Sequence, residues 1–435
     1  SYREDDSLMN IYHYLNQSQL REVLKRPVID IVKIEKIVRP ILDKVRRGGD
    51  RALKKLVLEY DHIDLDELWV SKDELKDAEN HVNANLKIAI EVAKKNIWKF
   101  HEAQQQPPLT VETMPGITCK RKSVPIRNVG LYIPGGTSPL FSTVLMLGIP
   151  ALIAGCKKIT IASPTNKMGK INPVVLYAAH SLGIHSVLKL GGAQAIAALA
   201  YGSETIPKVD KIFGPGNQYV TTAKQLLSKE VSIDMPAGPS EVMVIADEES
   251  KASFVAADLI SQAEHGNDSQ VVLVTKSQMV ADAVILEIKK QLVQLPRKDM
   301  AEESLKNSVV LIANTKKEII KIINYYGPEH LILNINNPEK YIDKIYNAGS
   351  VFIGPFAPES AGDYASGTNH VLPTNGWTRS YSGVSLDSFV KKITFQEITK
   401  KGLKTLGPTL EVMANAEQLE GHKRAVTIRL ESFEK

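Results

Sequence analysis

The sequence has few cysteines, little net charge and no apolar run of membrane-spanning length. Cys119 and Cys156 are the only cysteines in 435 residues, and they form no CxxC pair, which excludes a disulfide framework and a cysteine-rich zinc module. Cys156 follows a long apolar run from Leu140 to Ala154 that contains Gly148 and Pro150. Because a spanning helix needs about 20 apolar residues, we predict that this run is a buried helix and that Cys156 is a structural thiol.

The charge balance also excludes some classes of protein. The formal net charge is only +5, from 54 basic and 49 acidic residues, and the two signs are interspersed rather than blocked, which argues against a nucleic-acid-binding role. A hydrophobic fraction of 43% and a charged fraction of 24% are typical of a globular protein with two or three domains. The sequence has no repeat of 20 to 50 residues, and this excludes a solenoid.

The sequence pattern changes twice along the chain. Up to about Pro125 the pattern predicts charged amphipathic helices. From Val129 short apolar runs alternate with helical stretches, and a second such series follows the Gly238-Pro239 break. This rhythm predicts an α/β fold with two Rossmann-like parallel-sheet units. After about Leu386 the pattern becomes helical again without strand alternation or a partner sheet, and we expect this tail to pack on another subunit.

These changes in pattern give a predicted domain organisation. The predicted segments are an N-terminal helical arm (1–26), a discontinuous α/β domain (27–128 and 239–385), a Rossmann-like domain (129–238) and a C-terminal helical segment (386–435).

Three glycine-bearing loops each follow a predicted strand and open a helix in the first α/β unit. They are YIPGGTS (Tyr132 to Ser138), GGAQ (Gly191 to Gln194) and GPGN (Gly214 to Asn217). Glycine lets the backbone approach a phosphate, and helix amino ends offer free N–H groups, so this sheet edge is a candidate dinucleotide site. Each loop alone is also what an ordinary tight turn requires, and none is a GxGxxG fingerprint.

Glu329 and His330 lie beside the rigid Gly327-Pro328 pair and just before a predicted strand. A carboxylate next to an imidazole suits proton transfer, since imidazole titrates near neutrality and a buried glutamate becomes a stronger base. The alternative is a helix-to-strand connector with solvent-facing polar residues.

Gln262 and His265 are three residues apart in a helical pattern that Gly266 ends. They therefore share a helix face, and both side chains can donate to zinc, the glutamine more weakly. Two other stretches carry candidate groups: a long polar loop, Pro355 to Gly376, with Asp363 and His370, and the tail, with Glu417 and His422. The alternatives are a turn cap for Asp363 and a surface position for His422.

These segments resemble the histidinol dehydrogenase family over essentially the whole chain. The similar blocks, in the family's order, are VGLYIPGG, LGGAQAIAALAYG, KIFGPGNQYV, DMPAGPSEV, LISQAEHG, GPEHL, AGDYASGTNHVLPT and HKRAVTIR. The resemblance implies a zinc-dependent enzyme that oxidises L-histidinol to L-histidine through histidinal and reduces two NAD, the last step of histidine biosynthesis. It also implies that the discontinuous domain (27–128 and 239–385) binds substrate and zinc, that the domain 129–238 binds NAD and that the segment 386–435 mediates dimerisation. In the implied homodimer the tail of one subunit completes the partner's site, without nucleic-acid or membrane partners.

The resemblance also implies roles for individual residues. The family's zinc ligands fall on Gln262, His265, Asp363 and His422, which also contact substrate. Its catalytic pair falls on Glu329 and His330, with His330 expected to take the hydroxyl proton and Glu329 to deprotonate water. The other positions that contact substrate or line the site are Ser240, His370 and Glu417, and the NAD positions are Tyr132, Gln194 and Asn217. The remaining histidines are expected to be structural or on the surface: His13, His62, His81, His101, His180 and His185.

Three other functions compete with this interpretation. Related dehydrogenases act on small polyols or sulfonated diols, but Glu417 and His422 favour an imidazole substrate. A zinc hydrolase would use Glu329 to activate water but leaves the glycine loops without a use. A non-catalytic metal-binding or basic scaffold would bind zinc without NAD-linked turnover. We expect a cytoplasmic location, or a plastid one if a transit peptide preceded Ser1.

Overall fold

The computed structural model of the protein describes residues 8–27, 30–135 and 138–434. Its strands are β1 (Asn10–His13), β2 (Leu109–Met114), β3 (Ile117–Pro125), β4 (Asn128–Tyr132), β5 (Lys158–Ala162), β6 (Ser186–Leu188), β7 (Lys211–Phe213), β8 (Ser232–Ile233), β9 (Glu241–Ala246), β10 (Gln270–Thr275), β11 (Val309–Ile312), β12 (His330–Asn334), β13 (Ser350–Ile353) and β14 (Val390–Ile398). Its helices are α1 (Gln17–Val23), α2 (Ile31–Asp61), α3 (Lys72–Asp77), α4 (Ala84–Glu102), α5 (Phe141–Ala154), α6 (Pro173–Ser181), α7 (Gly192–Tyr201), α8 (Gln218–Leu227), α9 (Ala252–Ala263), α10 (Gln278–Leu292), α11 (Lys298–Lys306), α12 (Lys316–Tyr326), α13 (Glu339–Ile342), α14 (Glu359–Tyr364), α15 (Lys400–Ala416) and α16 (Glu420–Glu431). Short 3-10 helices span Ala78–His81, Trp377–Arg379 and Leu386–Phe389.

The first sheet is parallel and has the strand order β6-β5-β4-β7-β8. The chain direction across the sheet reverses between β4 and β7, and such a reversal opens a crevice at the carboxyl ends of the strands. Helix α5 follows β4 and buries nearly its whole length. This confirms the buried helix predicted from its apolar run, and Gly155, in the left-handed conformation, ends it.

The second sheet is also parallel and has the order β1-β11-β10-β9-β12-β13. Strands β9 and β10 are buried along their whole length, which explains why their sequences are continuous apolar runs rather than alternating ones. The predicted fold class, two Rossmann-like parallel-sheet units, is confirmed. Strand β1 lies in the segment predicted to be a helical arm, whose residues 1–7 are outside the described residues. It adds an edge strand because its residues pair in register with β11.

A third, antiparallel sheet joins distant parts of the sequence in the order β14-β3-β2. The expectation that the chain after about Leu386 has no strand and no partner sheet is therefore wrong. Strand β14 is exposed at nearly every position, so it lacks the alternation of buried and exposed residues that marks a half-buried strand. Its pairing with β3, far away in sequence, holds it in place.

Helices α2, α3 and α4 pack on the first sheet's unit, whereas Leu20 of α1 packs against the second sheet. Buried side chains of α2, such as Val38 and Leu53, share one core with Ala195 and Leu199 of α7, and Ile97 of α4 shares another with α5. The grouping of residues 27–128 with 239–385 in one domain stays a prediction. The apolar stripe of α2 faces the small alanine side chains of α7, a complementarity that the sequence pattern of either helix alone does not reveal.

Two further observations concern the cysteines and the search for a membrane-spanning helix. Both cysteines are free thiols, and burial raises the pKa of the Cys156 thiol to about 12, so it stays protonated, as expected for a structural cysteine. In the described parts of the chain, no helix is long and apolar enough to cross a membrane.

Candidate active site

The candidate site lies at the amino edge of the second sheet. Helix α9 starts near the carboxyl end of β9 and must run back across the sheet before β10 can begin in parallel with β9. Its last turn carries Gln262, and His265 follows directly, with its backbone N–H donating to the Gln262 carbonyl at 3.2 Å. Glu329 and His330 reach the same edge because β12 starts at His330. The topology therefore brings two of the predicted motifs together.

The buried pair Glu329 and His330 is held by one residue of the neighbouring strand, Glu241. The backbone N–H of Glu241 donates to Glu329 Oε2 at 2.9 Å, and the backbone carbonyl of Glu241 lies 3.1 Å from His330 Nδ1. Because a carbonyl only accepts, His330 Nδ1 carries a proton, and Nε2 is the nitrogen at which the ring gains or loses its second proton. The prediction that these two side chains are solvent-facing connector residues is thereby excluded, since both are about 5% exposed or less.

The other ring nitrogen of His330, Nε2, points toward a second acidic side chain, Asp363. Nε2 lies 3.7 Å from Asp363 Oδ1 and has no hydrogen-bond partner among the described residues. Nδ1 also lies 3.6 Å from Glu329 Oε2 and 3.7 Å from Glu359 Oε1. One imidazole is thus surrounded by three carboxyl groups.

This crowding shifts the pKa values of the pair. Burial, the largest effect, raises the pKa of Glu329 to about 8, against the attraction of His330. Burial alone lowers the pKa of His330, but the charges of Glu359, Glu329 and Asp363 outweigh it and raise this pKa well above its ordinary value. A positive charge that enters the site would therefore lower the pKa values of both Glu329 and His330.

A cluster of potential metal ligands lies beside the pair. Ligand atoms of His265, Glu359 and Asp363 all lie within 4.8 Å of one another. Desolvation lowers the pKa of His265 even though Asp363 opposes it, so the ring is neutral and able to coordinate a metal. The amide oxygen and nitrogen of the fully buried Gln262 and both oxygens of Glu359 have no hydrogen-bond partner in the described part of the chain. Buried polar atoms without hydrogen-bond partners indicate a site for a cation or a polar ligand.

Glu359 is the residue that the sequence analysis missed. The stretch Pro355 to Gly376 was interpreted as a loop, but it contains helix α14, which carries Glu359 and Asp363. Their spacing of four residues places both carboxyl groups on one helix face. This spacing of two acidic residues is the sequence feature that indicates the helix. The many Gly, Ser and Pro residues around it are typical of a loop and favour the wrong interpretation.

His370 and Ser240 take supporting positions. His370 Nδ1 lies 2.8 Å from the Asp363 carbonyl and Nε2 lies 3.0 Å from Thr143 Oγ1, so His370 fixes the turn that presents Asp363. Burial lowers the pKa of His370. Ser240 directly precedes Glu241, and its carbonyl accepts the Gln270 N–H at 3.3 Å.

The two tail residues lie elsewhere in the single chain. Glu417 ends α15 and His422 lies on α16, and both are exposed. Among the described residues, the potential metal-binding cluster does not include His422. The sequence-predicted set of four zinc ligands is thus only partly assembled within one subunit.

The glycine loops of the first sheet converge on Tyr132. The Gly192 N–H donates to the Tyr132 hydroxyl at 3.0 Å, and a Cβ on Gly214, at φ +127°, would overlap the Tyr132 carbonyl oxygen. Gln194 is buried in α7, while Asn217 caps α8 by accepting the Tyr219 N–H. The loop from Tyr132 to Ser138 is described except for residues 136 and 137. The three loops form one edge, at the reversal between β4 and β7.

Comparisons with known proteins identify the family. The family model for histidinol dehydrogenase matches residues 24–430. The chain belongs to the histidinol dehydrogenase family. It is 54% identical over 428 residues to a histidinol dehydrogenase of Bacteroides fragilis, covering 98% of this chain and 100% of the relative. It is 51% identical over 427 residues to one of Vibrio vulnificus, covering 97% and 98%.

A solved structure supports the same conclusion. The crystal structure of histidinol dehydrogenase from Elizabethkingia anophelis matches with a TM-score of 0.96 at 50% identity, covering 99% of each chain. As a member of this family, the chain is an oxidoreductase. This conclusion favours the dehydrogenase prediction over the zinc hydrolase and the non-catalytic scaffold.

The raised pKa of Glu329 predicts a pH-dependent stability. In metal-free protein its folded pKa is about 8 against an unfolded value of 4.5, so the folded state holds more protons between those values and the free energy of unfolding falls as pH rises through that window. Glu329→Gln removes this loss while keeping an oxygen to accept the Glu241 N–H. Urea denaturation should show the variant gaining at least about 1 kcal/mol over wild type from pH 5 to pH 8.

The matched control is Glu248→Gln, an exposed glutamate in the turn after β9, which should leave the pH dependence unchanged. An equal stability difference between Glu329→Gln and wild type at both pH values would contradict the assigned shift.

Proposed function

We propose that this protein oxidises L-histidinol to L-histidine through histidinal, using zinc and two molecules of NAD, as the last step of histidine biosynthesis. The observation that carries the proposal is the buried Glu329-His330 pair beside a cluster of potential metal ligands, where the polar atoms of Gln262 and Glu359 have no partner among the described residues. The relatives named histidinol dehydrogenase align over nearly their full length, which supports transfer of the whole activity rather than of one domain.

The residues present fit a zinc ion. We propose that Gln262, His265 and Asp363 hold it, together with His422 from a second copy of the chain. The donor set of imidazole, carboxylate and amide oxygen suits zinc, and the orphaned Gln262 amide would gain a partner. Glu359 lies within the same cluster and would face the metal or the substrate's amino group. When bound, zinc supplies positive charge beside the carboxylates and holds the nitrogen atoms of the substrate in place.

The first oxidation depends on His330. Its Nδ1 proton is fixed on the Glu241 carbonyl, so Nε2 faces the site as a base. As the hydride leaves the alcohol carbon for the nicotinamide ring, Nε2 accepts the hydroxyl proton. The products are the aldehyde, one NADH and a protonated imidazole.

The second oxidation depends on Glu329. A buried carboxylate with a raised pKa is a strong base for water, and the Glu241 N–H orients it at 2.9 Å. Glu329 accepts a proton from the water that adds to the aldehyde carbon, and the hydrate then loses its hydride to a second NAD. In total, one alcohol, one water and two NAD give one carboxylate, two NADH and three protons.

The remaining roles follow the positions of the residues. We assign Ser240, His370 and Glu417 to the substrate side of the site. Tyr132, Gln194 and Asn217 are assigned to NAD, because their loops meet at the strand reversal of the first sheet, where helix amino ends face the crevice.

Variants of the pair should separate the two oxidations. Glu329→Gln should form about one NADH per site from histidinol in a rapid burst and then slow by about 100-fold or more, since only water activation is lost. His330→Asn should suppress the burst itself. Stopped-flow measurement of NADH with histidinol, and separately with histidinal, checks both expectations.

The control for these variants is His185→Asn, an exposed histidine outside the site, which should behave as wild type. If Glu329→Gln slowed the first and second hydride transfers equally, the separate assignment of the two bases would be contradicted.

We further propose a homodimer in which the tail of each subunit completes the partner's site. Helix α16 has no buried residue, and the α15–α16 hairpin exposes Val412, Met413 and Ile428. These exposed apolar side chains on one hairpin support the proposal of an interaction surface. Coverage by a second copy would bring in the Glu417 and His422 that a single chain leaves exposed.

Mixed dimers test the shared site. His422→Asn and Glu329→Gln should each be nearly inactive alone. After the two are unfolded together and refolded at equal concentration, half of the dimers are mixed and each holds one intact site, so activity should return to about a quarter of wild type. No recovery, with mixed dimers verified by mass, would show that His422 acts within its own chain.

A further inference from the structure

Arg26 lies behind the catalytic pair and makes a two-pronged ion pair with Glu241. Its Nε lies 2.6 Å from Glu241 Oε2 and its Nη2 lies 2.8 Å from Oε1. Nη2 also donates to the Tyr326 carbonyl at 2.7 Å, and the guanidinium lies 4.0 Å over the Tyr326 ring. The Tyr326 hydroxyl in turn donates to Gln270 Oε1 at 2.7 Å. The Glu241 carboxylate is therefore fixed on several sides.

Glu241 connects this ion pair to both members of the pair Glu329 and His330. Its backbone N–H and carbonyl hold Glu329 and His330, as described above, and its side-chain Oε1 also accepts the Glu329 N–H at 3.3 Å. Any displacement of Glu241 would move the carboxylate of Glu329 and release the Nδ1 proton of His330. One residue thus sets the orientation of one base and the tautomer of the other.

We infer that Arg26 and Glu241 are positioning residues, and that the Arg26–Glu241 ion pair keeps Glu329 and His330 in the geometry that proton transfer requires. The inference deepens the proposed function and rests on it for its kinetic consequence. Two parallel N–H···O bonds fix a carboxylate in direction as well as distance. Lysine, as a single charged point, would keep the charge but lose the direction.

The position of Arg26 makes the inference testable by chemical rescue. Its side chain is 18% exposed and forms part of the wall of a solvent-open cavity of about 350 Å³ that also borders Arg21 and Arg379. Shortening Arg26 to alanine would leave a space that guanidinium ion can reach from solvent. A purely stabilising ion pair predicts no such recovery of turnover.

The experiment compares Arg26→Ala, Arg26→Lys and Arg21→Ala as full-length, zinc-loaded enzymes. Both Arg26 variants should lose kcat for histidinol by about 10- to 100-fold, the usual cost of removing a supporting partner, with the KM for histidinol changed by less than about threefold. Millimolar guanidinium chloride should restore the kcat of Arg26→Ala with a saturating dose curve, whereas sodium chloride should not. Arg21→Ala, on the same cavity, should match wild type.

Two results would overturn the inference. The first is a wild-type kcat in either Arg26 variant. The second is a loss of kcat in Arg26→Ala that guanidinium does not restore, although the zinc content and melting temperature of the variant are normal. If Arg26→Ala does not fold, Arg26→Lys, which keeps the charge beside Glu241, decides the question by its kcat.

A crystal structure of Arg26→Lys provides a readout that needs no turnover. The separation between His330 Nδ1 and the Glu241 carbonyl, 3.1 Å in the native protein, should widen beyond hydrogen-bonding distance. An unchanged separation would overturn the inference whatever the substrate is. A wild-type enzyme that reduces no NAD with histidinol would instead refute the proposed function and leave this structural comparison valid.

Discussion

Three carboxyl groups crowd around His330 at one buried sheet edge, and the arrangement of the site depends on what balances their charge. Glu241 is matched by Arg26, but Glu329, Glu359 and Asp363 share the single imidazole of His330. Isolated buried charges are strongly unfavourable, so the carboxylates of such a cluster either take up protons or are balanced by a positive charge. Burial raises the pKa values of Glu329 and Glu359. Burial lowers the pKa of His330, but the surrounding carboxylates outweigh it and raise this pKa. Such a cluster favours the binding of a cation.

The two sheets contribute opposite edges to the site. In the first sheet the glycine loops lie at the carboxyl ends of the strands, where parallel sheets usually bind ligands. In the second sheet the acid-base pair and the metal donors lie at the amino ends, beside the last turn of α9. That edge suits a carboxylate and imidazole cluster because strand-opening backbone groups, such as those of Glu241, are available to hold side chains. The proposed function thereby places nucleotide binding and substrate chemistry on different sheets.

Much of this could be predicted from the sequence, and the failures have physical causes. The alternation of apolar runs predicted both parallel sheets, and the Glu329-His330 pair was correctly placed just before a strand because Gly327-Pro328 marks the end of the preceding helix. Glu359 was missed because its helix has an unusual composition. Strand β14 was missed because long-range pairing, not a buried face, holds it. Arg26 was invisible because its partner lies 215 residues away in sequence.

We propose that one buried acid-base pair, beside one cluster of potential metal ligands, carries out two successive oxidations. The most direct measurement is the number of NADH formed per L-histidinol consumed, in zinc-loaded enzyme and after removal of zinc with a chelator. We expect two NADH per histidinol, loss of turnover on chelation and recovery of turnover when zinc is added back. A yield of one NADH, or full activity in verified metal-free protein, would contradict it.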